Sequence, residues 1–139
     1  MNIPYLIFNF IEYIIILPII FIIFVKYLAE RKGWDSPYEK TYSFVSVESI
    51  FYFTLLILII ELPDYLQIID IDFFIYLSIA FVLILIADGV FAFTLIKIIY
   101  KKEIRESFFF TLIIMVFKFL ISLCVGLLLS PLGIVIQYL

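Results

Sequence analysis

The sequence contains no histidine and a single cysteine, Cys124. Without histidine the chain lacks the usual axial ligand of haem, the commonest ligand of zinc and the usual general base, which removes most redox and metallohydrolase chemistry. One cysteine forms no internal disulfide, and Cys124 lies among Leu and Val, where a thiol serves as a small apolar residue. Glycine is scarce, with four residues in 139. No Walker lysine loop, dinucleotide fingerprint, zinc-ligand spacing or nucleophile elbow occurs, so an enzyme is the weakest class and no cofactor or metal is expected. Charged residues make up only 15% of the chain, too few to cover a soluble domain.

What is present is hydrocarbon, at 67% hydrophobic residues. A helix needs roughly 20 apolar residues to cross a bilayer, and the chain reads as one domain, residues 1–139, with four such helices over about 3–28, 44–62, 74–99 and 107–130. The first is too long for a signal-peptide core and lacks a basic start and a small-residue cleavage site, so it is expected to remain as a signal anchor. Residues 29–43 read as a polar connection with Trp34 near the interface, Pro63 as the end of helix two and Pro131 as the end of helix four. The expected fold is all-α, an integral membrane four-helix bundle.

The charges are sorted by side. Lys26, Arg31, Lys32 and Lys40 flank the first connection, and Lys97, Lys101, Lys102 and Arg105 flank the third. The link from Pro63 to Phe73 carries Asp64, Asp70 and Asp72 and no base. Every base except Lys118 therefore falls on one side, which the positive-inside rule assigns to the cytoplasm, leaving the acidic link and both termini outside. A prokaryotic plasma membrane or an organellar inner membrane is the expected location. The expected partners are the lipid bilayer and other membrane subunits or further copies of the chain; no nucleic-acid surface is evident.

Three charges stand where hydrocarbon penalises them: Glu12, Asp88 and Lys118. A charge at the bilayer centre costs on the order of 3 kcal/mol by insertion scales, so each is expected to face the bundle interior. Glu12 lies about 21 Å along its helix from Lys26, and Lys118 about 20 Å from Arg105, which matches them in depth. Asp88, about 13 Å from Lys97, is within reach of a long lysine stem.

Ser122 and Gly126 follow Lys118 at four-residue steps, and Ala80, Asp88 and Ala92 share a stripe of helix three, so these faces suit close helix contact. Tyr5, Asn9 and Glu12 form a polar strip on helix one. Pro18 cannot donate to the carbonyl of Ile14, which predicts a kink and a freed acceptor near Glu12. Two acids against one base leave a carboxylate to take a proton, pair with another molecule or hold a cation. Glu48 and Glu61, near opposite ends of the expected helix two, read as interfacial residues within reach of water.

The run Ser36, Pro37, Tyr38, Glu39 is similar to a stretch in the first loop of subunit 3 of respiratory NADH dehydrogenase, followed here by a helix ending in Glu61. That family continues with cysteine and glycine where this chain has Lys40 and Thr41, and it has three helices rather than four. Four short helices with Glu12 in the first resemble the small multidrug-resistance exporters, which implies a proton-exchanging role for Glu12 in a dimer. Those proteins are rich in Gly and Ala with little loop bias, unlike this chain. The function expected from the residues is a non-catalytic subunit or accessory of a larger membrane assembly; the alternative is a small proton- or cation-coupled transporter acting as a homo-oligomer.

Overall fold

The computed structural model describes residue 7 and residues 10–61, 63 and 73–137, and the side chains of all of these but 61, 73, 74, 126 and 128–137. Asn9, Tyr5 and the acids Asp64, Asp70 and Asp72 lie outside the described residues. Four helices account for nearly all of the rest: α1 (Ile11–Arg31), α2 (Tyr38–Leu56, extended by a π-helical turn Ile57–Glu61), α3 (Phe73–Tyr100) and α4 (Ile104–Gln137). Each is long and apolar enough to cross a membrane.

The first connection is shorter than the polar residues predict, because backbone capping outranks composition there. Gly33 adopts the left-handed conformation, φ 70°. Its N–H donates to the Glu30 carbonyl at 2.8 Å while the Trp34 N–H donates to Ala29 at 2.9 Å, the paired bonds of a Schellman cap. Trp34 and Ala29, brought together by that cap, are both buried in the core. α1 therefore runs to Arg31.

Pro37, extended at ψ 153°, starts α2 at Tyr38, six residues before the expected start at Phe44. Its carbonyl accepts from the N–H groups of Lys40 and Thr41, and Glu39 in the first turn complements the positive end of the helix dipole. On the exposed side of the turn the Lys40 ammonium donates to Asp35 Oδ2 at 2.7 Å, which holds that carboxyl below its ordinary range.

Pro131 does not close α4, which continues to Gln137. A proline is compatible with helical φ and removes one intrahelical bond, a loss apolar helices tolerate. The turn between α3 and α4 spans only residues 101–103 and places Lys101 at φ 52°.

α2 packs against α1 and α3, and α4 against α3 and α1, so the helices close into a four-membered ring. The seam of α3 is a run of buried residues at four-residue steps: Ala80, Ile84, Asp88, Ala92, Ile96 and Tyr100. Both basic connections meet at one end, where Trp34 packs on Phe110 with ring centroids 4.4 Å apart and on Tyr100 at 5.6 Å. The Tyr100 hydroxyl lies 3.3 Å from Thr41 Oγ1 and 3.5 Å from Ser36 Oγ, joining α3 to the start of α2. This polar and aromatic plug fixes the ends of α2, α3 and α4 and so sets their register further along.

Candidate functional site

Register brings Lys118 of α4 between two acids. Its ammonium donates to Asp88 Oδ2 of α3 at 2.7 Å and forms a second ion pair with Glu48 of α2. The face of the Tyr52 ring lies 3.9 Å from the same nitrogen. An ammonium has three N–H donors, and two carboxylates and a π face surround this one. Both acids are fully buried, and the lysine side chain is 14% exposed.

Glu48 is the residue that sequence reasoning placed at the interface. The correction follows from the helix start: counted from Tyr38, Glu48 lies about 15 Å into α2, against about 18 Å for Asp88 from Tyr100 and about 21 Å for Lys118 from Ile104. Three helices thus present their charges in one layer. The signal was available in Pro37 as a helix start, followed by the inward steps Thr41, Val45, Glu48 and Tyr52.

Glu12 does not join the cluster around Lys118. Because α1 runs to Arg31, Glu12 lies about 28 Å from that end, beyond Lys118 rather than level with it. It is buried at 6% exposure in the π-helical segment Ile11–Ile16, where the Leu17 N–H donates to the Glu12 carbonyl. This widened turn comes directly before buried Pro18 and spares the prolyl ring part of its clash with the preceding turn. Ser122 is half-buried on α4, while the surroundings of Gly126 lie outside the described side chains.

The triad holds two carboxylates and one ammonium, an excess of one negative charge when all three are ionised. Glu48 Oε2 and Asp88 Oδ1 are buried and have no hydrogen-bond partner among the described residues. A buried carboxylate oxygen without a donor is costly. Beside Asp88 lies a cavity of about 230 Å³, walled by Tyr13, Tyr52, Ile84, Met115 and Ser122, with Phe81, Leu85, Phe119 and Leu123 at its outer side. Those last four side chains are exposed on the surfaces of α3 and α4. The arrangement can hold a proton or a cation, and it can tie three helices together. No group of three or more His, Cys, Asp or Glu residues able to hold a metal ion occurs among the described residues. No protein-family model, curated protein or solved structure matches the chain.

Proposed function

We propose that this chain is a non-catalytic integral membrane protein acting through its helices, as a small subunit or accessory of a larger membrane assembly. The observation that carries this reading is the distribution of polarity. Three charges deep in the spans are turned inward into the Glu48–Lys118–Asp88 triad and Glu12 is buried apart from it, while the outer faces of all four helices expose Ile23, Ile50, Val90, Ile98 and Val116. Apolar outer faces meet lipid or the helices of other subunits. The connections at 32–37 and 101–103 are too short to build a nucleotide site or a receptor surface.

In the same reading the four helices cross the plasma membrane of a prokaryote or an organellar inner membrane. The basic end is cytoplasmic and both termini are outside, as the positive-inside rule requires. The triad then locks α2, α3 and α4 at one depth. Tagging the protein in its own cells, extracting it in mild detergent and measuring native mass tests the assembly: a stoichiometric set of companions is expected, and a homogeneous particle of this chain alone overturns it.

A second reading, a small proton- or cation-coupled transporter, is favoured by one specific observation, the unpartnered carboxylate oxygens beside the cavity. It predicts pH-dependent flux in liposomes that Asp88→Asn abolishes. Flux that is absent, or unchanged by that substitution, ends it.

A further inference from the structure

The cavity beside the triad combines features that a merely structural ion pair does not need. Its polar floor is Asp88, fully buried, with one carboxylate oxygen unpartnered. Lys118 shares that floor, but its positive charge faces two acids, which leaves an excess of one negative charge when all three are ionised. The walls combine four aromatic rings, Tyr13 and Tyr52 with ring centroids 5.6 Å apart and Phe81 and Phe119, which meet edge to face at 6.3 Å, with the aliphatic side chains of α1, α3 and α4. A carboxylate beside aromatic rings in an otherwise apolar cavity is the recognition chemistry of alkylammonium groups, whose charge is spread and weakly hydrated.

Size and access narrow the ligand further. The volume, about 230 Å³, falls below the roughly 300–1,000 Å³ of drug-sized sites, so the ligand is small. The outer wall is made of Phe81 and Leu85 of α3 and Phe119 and Leu123 of α4, all exposed on the bundle surface. Entry is therefore lateral, between α3 and α4, which suits a cation with an apolar body that partitions into lipid. Glu48 is not among the residues that line this cavity; it borders a void of about 10 Å³ that shares Tyr13, Leu17, Tyr52 and Lys118 with it, close to the minimum for a single water.

We infer that this cavity is a binding site for a small organic monocation bearing an apolar group, with the ammonium held against Asp88 and the aromatic walls, and that a proton competes for the same excess negative charge. The titratable groups that face Asp88 are Glu48 and Tyr52 from α2, Lys118 from α4 and Tyr13 from α1. The site stands whether the chain works alone or within an assembly, because binding needs no partner and no flux.

The test uses the full chain in mild detergent, titrated by calorimetry with benzyltrimethylammonium and, separately, with neopentylbenzene, its uncharged isostere. Saturable binding of the cation, at least tenfold tighter than of the isostere, is expected. Binding should weaken as pH falls and should release protons into a weakly buffered solution. Asp88→Asn should lower affinity tenfold or more, and by more than Glu12→Gln, which removes a charge outside the cavity lining. Should Asp88→Asn fold poorly, proton release by the wild-type chain decides the matter alone. Equal binding of the neutral isostere, no proton release, or loss of binding in Glu12→Gln with Asp88→Asn unaffected would each overturn the assignment.

Discussion

Lys118→Met should be more damaging than neutralising either of the acids that face it, and the reason is charge balance rather than volume. Methionine fills much the same space, but it leaves Glu48 and Asp88, both fully buried, with no counter-charge. Breaking a buried ion pair by removing one partner costs about 3–5 kcal/mol. A second route gives a similar figure: holding an ordinary carboxyl protonated at neutral pH costs roughly 4 kcal/mol, from about three pH units at 1.36 kcal/mol each.

Asp88→Asn and Glu48→Gln behave differently, because each leaves one acid facing one base. The lost charged hydrogen bond, about 1.5–3 kcal/mol, is offset by the excess charge it removes. Either amide variant should therefore be more stable than Lys118→Met by about 3 kcal/mol or more. Trp34, the chain's one tryptophan, is buried against Tyr100 and Phe110 and reports unfolding by fluorescence as SDS is added to mild-detergent micelles. Acidification, which supplies the acids with protons, should recover part of the Lys118→Met loss. Removing all three charges together should restore most of the stability. Equal losses in Lys118→Met, Asp88→Asn and Glu48→Gln would refute the argument.

Three further outcomes follow from the basic end of the bundle and from its orientation. Gly33→Ala should cost about 1–2 kcal/mol through the backbone alone, since nothing lies within 4 Å of the added Cβ; Gly33→Asn should cost less in the same unfolding assay. Tyr100→Phe, which removes the hydroxyl shared with Thr41 and Ser36, should cost about 1 kcal/mol, and Thr41→Val added to it should be less than additive. In a Cys124→Ser background, Asp35→Cys and Glu103→Cys should react with an impermeant maleimide only after the cells are permeabilised; labelling in intact cells would reverse the orientation.

The number of helices and their apolar character were legible because hydrocarbon length is a property of composition along the chain. Boundaries were not, and the misses have local causes. Residues 29–43 looked like a loop because they are polar, yet the Gly33 cap and Pro37 confine the turn and extend both helices into the polar stretch. That single shift moved Glu48 from the rim to the interior. Glu12 stands out as an acid in an apolar run, but Lys26 does not mark the end of α1, which runs on to Arg31, so a depth counted from Lys26 sets Glu12 level with Lys118 when it lies beyond it. The stripe carrying Ala80, Asp88 and Ala92 needed no boundary, only the period of a helix, and it is the seam of α3. Which acid meets a given base depends on contacts between helices, which no single helix encodes.

The contact between α2 and α4 through Glu48 and Lys118 is the point on which this account turns, and a charge exchange tests it most directly. Glu48→Lys alone places two ammonium groups beside Asp88, and Lys118→Glu alone places three acids together, so each should sharply reduce folded protein. The double variant restores one base between two acids. Recovery of folded protein to near the wild-type level, read by Trp34 fluorescence and by a single monodisperse peak, is the predicted result. A double variant no better than the worse single change would contradict the triad.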